Sequence, residues 1–473
     1  MEIRRMNDIS LIGLGVMGSN LALNIADHGY EIALWNYTSD LVDKFKKDNS
    51  HPKCHPFYDL KEMLDSLKKP RCILMMVTAG KAVDSLISQL TPLLDEGDIV
   101  VDLGNSLFTD TRRRYAELKE KKIRFYGVGV SGGEEGARHG PAMMAGGEKE
   151  GYQYLEKIFC AISAKASEDG KPCCAYMGTD GAGHFVKMVH NGIEYADMQL
   201  IAESYLLLKN LGGFSNQEIS DIFAKFNQGR LKSYLIEIAS KVLAAKDPDG
   251  DGDLIDKILD SAGQKGTGKW TAQSGFENGI SLSIIDAALN ARIDSSYIDQ
   301  RRRRLNLLSS KPKVCAVENK EELVRIVENS LYAGKIAAYA QGFVFYKKAM
   351  ENYGWELPIG TIASVFRGGC IIRAEFLNRI TASFEQNSNL ENLMDSPDFA
   401  KEIDNSMPDF RKLVTLAIAN GIPAPAYSAA IAYFDAMTTR VVGANMIQGL
   451  RDFFGAHTFI YEPTGEVTHH HWN

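Results

Sequence analysis

The chain has 473 residues and a formal net charge of −7 at pH 7, and its length exceeds what one hydrophobic core usually organises. Hydrophobic residues make up 45% and charged residues 24% of the chain, as expected for a globular protein dissolved in water. The acidic balance argues against general binding to nucleic acid or acidic membranes, whereas a local basic pocket can still hold a small anion.

Three further features of the composition narrow the class of protein. The chain contains no run of about 18 apolar residues, so we expect no membrane-spanning helix and a cytoplasmic protein. Its seven cysteines are scattered and odd in number, which indicates free thiols in a reducing compartment. The calcium-like segment DPDGDGDL has Ile258 where such a loop needs a bidentate glutamate, so we predict no metal site.

The first part of the chain alternates short apolar runs with amphipathic stretches. The apolar runs ISLIG, EIALW, CILMMV, DIVVDL and IRFYGVGV predict strands. The stretches between them, such as NLALNIADHG, have helical periodicity. This alternation predicts βαβ units around a parallel sheet, in an α/β domain that covers residues 1–180.

A glycine pattern lies between the first predicted strand and the first predicted helix. The segment LIGLGVMGSN places Gly13, Gly15 and Gly18 in a G-x-G-x-x-G spacing, which permits a tight turn and close approach of the backbone to a pyrophosphate. A plain glycine turn is the alternative, but the strand before and the strand EIALW after the motif favour a dinucleotide-binding loop. The predicted cofactor contacts in this loop are Gly13, Leu14, Gly15, Val16, Met17 and Gly18.

The end of the second predicted strand bears on the choice of dinucleotide. An NAD site usually has an acidic residue here that binds the ribose hydroxyl. This chain has Asn36, Tyr37 and Thr38 instead. No carboxylate repels a 2′-phosphate, and no arginine pairs with one. The pattern favours NADP modestly and leaves NAD open.

From residue 181 onward, long helical patterns replace the strand signals. We predict a large all-α domain over residues 181–440. The segment LKNLGGFSNQEISDIF is similar to MENYGWELPIGTIASVF further along, which indicates internally duplicated helices, with chance similarity as the alternative. Residues 441–473 form an aromatic, irregular tail that we expect to pack on its own domain or on a partner subunit. We interpret its HHH run as ordinary tail.

One predicted helix carries a polar stripe. Lys187, His190, Asn191, Glu194 and Tyr195 are spaced to lie on one helical face. A solvated face is the common explanation, but an apolar opposite side and the His, Asn and Tyr side chains favour a cleft. There the lysine would be a base and the glutamate an acid, once desolvation has shifted their pKa values.

Six segments together carry a resemblance to a known family. They are GLGVMGSNLALN, GVSGGEEGAR, GHFVKMVHNGIEYADMQLIAESY, KGTGKWT, FRGGCIIRAEFL and QGLRDFFGAHT. They span the chain nearly end to end, and in this order the chain resembles the 6-phosphogluconate dehydrogenase family. The resemblance implies a Rossmann-type N-terminal domain, a large helical domain, and a tail that reaches into the other subunit of a homodimer. It also implies oxidative decarboxylation of 6-phospho-D-gluconate to ribulose 5-phosphate without a metal.

The resemblance further assigns site residues. It implies that Lys187 takes the proton of the C3 hydroxyl and that Glu194 protonates C1 of the enediol. It implies that the cofactor also contacts Val77, Thr78, Ala79 and Asn105. The implied substrate contacts are Asn105, Ser131, Gly132, Gly133, His190 and Asn191 for the carboxylate and hydroxyls, and Tyr195, Lys265, Thr267 and Arg292, with Arg451 and His457 of the partner's tail, for the phosphate.

The chain departs from the family pattern at the cofactor end. Family members commonly have arginine where Tyr37 stands, and many have lysine where Thr78 stands. Two positive charges near the cofactor are therefore absent, which keeps NAD use open. Two different functions would also fit part of the pattern: a related β-hydroxyacid dehydrogenase that acts on a smaller acid, and an inactive dinucleotide sensor. Lys265, Arg292, Arg451 and His457 argue against the smaller-acid dehydrogenase, and Lys187 and Glu194 argue against the inactive sensor.

Overall fold

The N-terminal part of the molecule is built on one eight-stranded sheet. The computed structural model describes residues 6–264, 266–308 and 312–472. The sheet order is β3-β2-β1-β4-β5-β6-β7-β8. The strands are β1 (Ile9–Ile12), β2 (Ile32–Trp35), β3 (Cys54–Pro56), β4 (Cys72–Met75), β5 (Ile99–Asp102), β6 (Arg124–Ser131), β7 (Ala142–Gly147) and β8 (Cys174–Gly178).

Strands β1 to β6 are parallel, as predicted. Strand β7 runs antiparallel to β6, and β8 runs parallel to β7. The five predicted strands correspond to β1, β2, β4, β5 and β6. The sequence did not reveal β3, β7 and β8. Strand β3 has only three residues, and β7 ends in two glycines, so neither has the apolar alternation or length that marks a strand.

Helices cover both faces of this sheet and give it two cores. Helices α1, α6 and α7 contribute Leu21, Ile25, Ala137 and Phe159 to one core, and α3, α4 and α5 cover the other face. The helices of this part are α1 (Val16–Asp27), α2 (Ser39–Asp48), α3 (Leu60–Asp65), α4 (Lys81–Leu90), α5 (Phe108–Glu120), α6 (Gly133–His139) and α7 (Lys149–Ile162). The result is a Rossmann-type α/β fold. Its sheet order changes direction between β1 and β4, where such folds bind their ligands.

A large helical part follows β8, as predicted. Its helices are α8 (Ala182–Gly212), α9 (Asn216–Phe226), α10 (Tyr234–Ala244), α11 (Thr267–Glu277), α12 (Ser283–Ser295), α13 (Ile298–Leu307), α14 (Lys320–Tyr353), α15 (Ile359–Val365), α16 (Leu377–Gln386), α17 (Pro397–Ala419) and α18 (Pro425–Thr438). The long helices α8 and α14 pack together at its centre, and each is followed by a left-handed glycine, Gly213 or Gly354. Within the described residues, no helix combines the length and apolar character that crossing a membrane needs.

The tail consists of α19 (Ala444–Gly455) and a hairpin of β9 (Phe459–Tyr461) and β10 (Glu466–Thr468). It leaves large apolar side chains in water: Phe453 is 64% and Phe454 is 72% exposed. Patches of this kind usually mark a surface that another molecule covers.

A buried ion pair joins the two central helices. The Lys335 ammonium of α14 lies 2.5 and 2.6 Å from the two carboxylate oxygens of Asp197 on α8, and both side chains are almost fully buried. Removing one partner of such a pair leaves an uncompensated charge in the core.

We therefore expect Lys335→Ala to lower the free energy of unfolding by about 3–5 kcal/mol, measured by urea denaturation. Lys348→Ala on the same helix removes an exposed ion pair with Glu351 and should cost under about 1 kcal/mol. A Lys335→Met, Asp197→Leu double variant, which buries no charge, should recover much of the loss. Equal midpoints for Lys335→Ala and Lys348→Ala would contradict this account.

Candidate active site

The glycine loop between β1 and α1 has the geometry of a dinucleotide site. Gly13 has φ +104°, and a Cβ there would lie 2.3 Å from the Met76 carbonyl oxygen. A Cβ on Gly18 would lie 1.8 Å from the Gly13 carbonyl oxygen, whereas a Cβ on Gly15 would meet nothing within 4 Å. Two glycines are thus required by packing, and the third leaves the N-terminus of α1 open to a phosphate.

One cleft of about 1270 Å³ joins this loop to the polar stripe of α8. It lies beyond the carboxyl ends of the parallel strands, and α8, α11 and α12 form its opposite wall. The predicted site residues that line it are Gly15, Val16, Met17, Gly18, Val77, Thr78, Ala79, Asn105, Ser131, Gly132, Gly133, Lys187, Asn191, Glu194, Tyr195, Thr267 and Arg292. The stripe therefore faces a cleft and not bulk solvent.

Close packing on the sheet fixes where α8 presents its polar residues. The first dozen residues of α8 are all buried, Lys187 and His190 among them. A Cβ on Gly129 of β6 would lie 2.3 Å from the Lys187 Cβ. Because Gly129 has no side chain, the helix can lie directly against the strand and hold the lysine beside the ends of β5 and β6.

Burial shifts Lys187 and Glu194 of the stripe towards their neutral forms. Desolvation lowers the pKa of Lys187, although Glu194 and Cys370 oppose the shift. Desolvation likewise raises the pKa of Glu194, against the pull of Lys187 and Arg292. A lysine with a lowered pKa is a competent base, and a glutamic acid with a raised pKa is a competent acid.

His190 lies behind the cleft surface. Its ring is fully buried, and its Nδ1 lies 3.5 Å from Lys187 Nζ and 3.2 Å from Asn191 Oδ1. Its Nε2 lies 3.5 Å from Ser131 Oγ. Desolvation and the nearby Lys187 hold the pKa of His190 well below its usual value, so the ring is neutral. It connects Lys187, Asn191 and Ser131.

Arg292 supplies positive charge at the helical end of the cleft. Its guanidinium lies 3.5 Å from the centre of the Tyr195 ring and donates to the Gly263 carbonyl at 3.1 Å. This stacking orients the group, which a planar bidentate cation needs in order to receive a phosphate. Thr267, at the start of α11, lines the same end.

Several predicted residues lie outside the cleft lining. Leu14 is buried behind the loop. Asn36 makes hydrogen bonds within the protein: its Oδ1 accepts the Leu14 N–H, and its side-chain amide donates to Thr38. Tyr37 is 79% exposed. Arg451 and His457 lie on the exposed tail. Lys265 lies outside the described residues.

Sequence reasoning missed other residues that line the cleft. They include Met76, Leu103, Gly104, Val130, Gly263, Gln264, Trp270 and Ile371. Trp270 and Ile371 lie within the segments KGTGKWT and FRGGCIIRAEFL, and the resemblance of these segments to the family could have identified them as site residues. Apolar residues of this kind have no local pattern that distinguishes a cleft wall from a core.

A dinucleotide loop that shares a cleft with a buried lysine and a protonatable glutamate defines a nicotinamide-dependent dehydrogenase. Residues 8–178 match the model of the NAD binding domain of 6-phosphogluconate dehydrogenase. Residues 183–472 match the model of the 6-phosphogluconate dehydrogenase C-terminal domain. The chain belongs to the 6-phosphogluconate dehydrogenase family.

Full-length relatives are similar throughout. A decarboxylating 6-phosphogluconate dehydrogenase of Lactococcus lactis is 48% identical over 98% of both chains. Bacillus subtilis has an NAD(+)-dependent relative at 48% identity, covering 99% of each chain, and an NADP(+)-dependent one at 46%, covering 98% of each. The solved 6-phosphogluconate dehydrogenase of Plasmodium falciparum superposes with a TM-score of 0.94 at 40% identity, covering 98% of this chain and all of that one.

Proposed function

We propose that this chain catalyses the oxidative decarboxylation of 6-phospho-D-gluconate to D-ribulose 5-phosphate and CO2. The observation that carries the proposal is the shared cleft, in which Lys187 and Glu194 face the glycine loop. The nicotinamide dinucleotide, when bound, supplies a hydride acceptor. Gly15 and the open N-terminus of α1 would hold its pyrophosphate, and Val77, Thr78 and Ala79 would flank it.

Lys187 and Glu194 divide the proton transfers between them. Neutral Lys187 takes the proton of the C3 hydroxyl as the hydride leaves C3. The resulting ammonium polarises the C3 carbonyl of the β-keto acid and stabilises the negative charge that develops as CO2 departs. Glu194 then delivers a proton to C1 of the enediol. The opposite pKa shifts of the two groups support these roles.

The remaining polar residues would hold the substrate from both ends. Asn105, Ser131, Gly132, Gly133 and Asn191 lie where they can bind the carboxylate and hydroxyls, with His190 fixing its neighbours from behind. Arg292, Thr267 and Tyr195 would bind the phosphate, together with Lys265. The phosphate carries two negative charges and accepts several hydrogen bonds, and Arg451 and His457 from a partner's tail would complete the site.

Tail exchange within a homodimer is supported by the exposure of the tail. Its apolar side chains, Phe453 and Phe454 among them, are uncovered in the single chain, and a second copy would cover them. We assign residues 1–180 to the cofactor, 181–440 to the substrate and the dimer, and 441–473 to the partner's site. All seven cysteines are free thiols, which supports a cytoplasmic location.

The residues at the cofactor end of the site predict weak discrimination between NADP and NAD. One Bacillus subtilis relative is NADP(+)-dependent and another is NAD(+)-dependent. The residues that follow β2, Asn36, Tyr37 and Thr38, include neither a cation to pair with a 2′-phosphate nor a carboxylate to repel it. The amide of Asn36 is already occupied by Thr38. We infer that the enzyme reduces NADP and also accepts NAD.

We expect kcat/KM with 6-phosphogluconate to differ by less than about tenfold between NADP and NAD, a gap smaller than one charged hydrogen bond supplies. Tyr37→Arg should shift the ratio towards NADP by about 10- to 100-fold. Tyr154→Arg, a change at another exposed tyrosine of the same domain, is the matched control and should leave the ratio unchanged. Ribulose 5-phosphate and CO2 are assayed as products. No turnover with either dinucleotide would overturn the proposed function, whereas a strong preference for one would overturn only the cofactor inference.

A further inference from the structure

The tail is organised around a single buried carboxylate. Asp452 is the one buried residue described in α19. Its Oδ1 accepts the Thr458 N–H at 2.9 Å and lies 2.8 Å from His469 Nδ1. Its Oδ2 accepts the His470 N–H at 3.0 Å and the Trp472 Nε1–H at 2.9 Å. Both oxygens are therefore saturated by donors from two later parts of the tail.

The turn that follows α19 is held in an uncommon backbone conformation. Ala456 has φ +49° and Thr458 has φ +60°, values that non-glycine residues seldom adopt. His457 lies between them. The Thr458 N–H bond to Asp452 closes this turn, and the Ala456 N–H bond to the Asp452 carbonyl closes it from the other side. Asp452 thus closes the turn that carries His457.

The last residues of the tail complete the arrangement. His469, His470 and Trp472 fold back onto Asp452, and the Trp472 ring packs against Phe453 with centroids 6.1 Å apart. The HHH run, which the sequence alone presents as ordinary tail, therefore has a defined structural partner. Desolvation would raise the pKa of Asp452, but the hydrogen bonds from this segment outweigh that effect and lower it, so the carboxylate stays charged.

We propose that Asp452, clasped by residues 469–472, is a positioning residue that fixes Arg451 and His457 for the phosphate of the substrate in the partner's site. Arg451 is the neighbour of Asp452 on α19, and His457 occupies the turn that Asp452 closes. Both side chains are exposed, and their other contacts are with α19: Arg451 donates to Gln448 Oε1 at 3.0 Å, and the His457 ring meets that of Phe454 with centroids 5.8 Å apart. The inference rests on the proposed function, in which these two residues bind the phosphate.

The test compares substrates with and without the phosphate. Asp452→Ala in the full chain should raise KM for 6-phosphogluconate by about 10- to 100-fold, the range for a lost charged hydrogen bond. The KM for the dinucleotide should stay within about twofold, as should the rate measured with unphosphorylated gluconate as the substrate. Trp472→Phe keeps the aromatic packing and removes one donor, so it should shift KM in the same direction by a smaller factor.

Two controls separate positioning from general damage. Glu462→Gln removes a carboxylate from the same tail whose ion pair with Arg440 is fully exposed, and it should leave every constant unchanged. Adding Asp452→Ala to an Arg451→Ala, His457→Ala double variant should cost little more than the double variant alone, because Asp452 acts through these two residues. Sedimentation of each variant reports its assembly.

The outcomes are distinct. If the wild-type enzyme does not turn over 6-phosphogluconate, the proposed function fails. If it does, and Asp452→Ala and Trp472→Phe leave KM for 6-phosphogluconate unchanged, the positioning role is wrong. Equal losses for the phosphorylated substrate, gluconate and the dinucleotide would also overturn it, because they would assign Asp452 to the general stability of the tail.

Discussion

Replacing Lys187 with alanine should slow the turnover of 6-phosphogluconate by about a hundredfold to ten-thousandfold, the contribution of a positioned general base. The side chain is only 6% exposed and lines the cleft beside Glu194. In the proposed mechanism it acts twice, first as the base at C3 and then as the ammonium that polarises the carbonyl. Among the described residues of the cleft, the other cation, Arg292, is held by Tyr195 and Gly263 and cannot replace it.

The same variant should still bind the dinucleotide. In the proposed site, the glycine loop and the segment that follows β4 would hold the cofactor without Lys187, so the dissociation constant measured by protein fluorescence should change by less than about twofold. Lys187→Arg should be as inactive as Lys187→Ala, because a guanidinium retains its proton at any ordinary pH. Lys209→Ala, on the same helix but paired with Asp256 at the surface, is the matched control and should keep full activity.

The pH dependence of the rate is an independent test of the roles of Lys187 and Glu194. Lys187 must be neutral to act, so activity should fall as the pH drops through its lowered pKa. Glu194 must be protonated to deliver its proton, so activity should fall as the pH rises through its raised pKa. The residual activity of Lys187→Ala should no longer fall at low pH but should still fall at high pH. A variant that retains more than about a tenth of the wild-type rate would exclude Lys187 as the base.

Local patterns accounted for much of the fold and of the site. The spacing of Gly13, Gly15 and Gly18 is a property of one turn, and the stripe from Lys187 to Tyr195 is a property of one helix. Periodicity and glycine geometry act within a few residues, so the sequence reports them directly. The likeness of six segments to one family then joined elements that no local pattern connects.

Features that depend on contacts between distant segments could not be predicted. The approach of α8 to β6 depends on the space that Gly129 leaves for Lys187, some sixty positions later. The place of His190 behind the cleft depends on Ser131, and the importance of Asp452 depends on Trp472 folding back onto it. Tertiary packing decides these contacts, and a helical stripe or a polar tail has the same local sequence whether or not they form.

Two chains that are each nearly inactive should restore activity when they are combined. In the proposed dimer, one subunit supplies Lys187 and its partner supplies Arg451. Every site of a Lys187→Ala homodimer therefore lacks the lysine, and every site of an Arg451→Ala homodimer lacks the arginine. A mixed dimer has one site with both defects and one intact site, formed by the body of the Arg451→Ala chain and the tail of the Lys187→Ala chain.

The yield of this complementation can be calculated. After denaturation and refolding of an equal mixture, random pairing of two-fold dimers places half of the chains in mixed dimers. About a quarter of all sites are then intact, so we expect about a quarter of the wild-type rate at substrate concentrations well below KM. Each variant refolded alone should stay at its own low rate. Native mass spectrometry of differently tagged chains measures the share of mixed dimers.

A pairing of Lys187→Ala with Glu194→Gln is the control that isolates the tail. Both lesions lie on α8 of the same body, so every site of that mixed dimer keeps one defect and no activity should return. If mixed dimers of Lys187→Ala and Arg451→Ala form in the expected share and remain inactive, the tail does not serve the partner's site. Recovered activity would instead mean that Arg451 of one chain serves the site of the other. Its exposed position on α19, beside the uncovered Phe453 and Phe454, is consistent with that role.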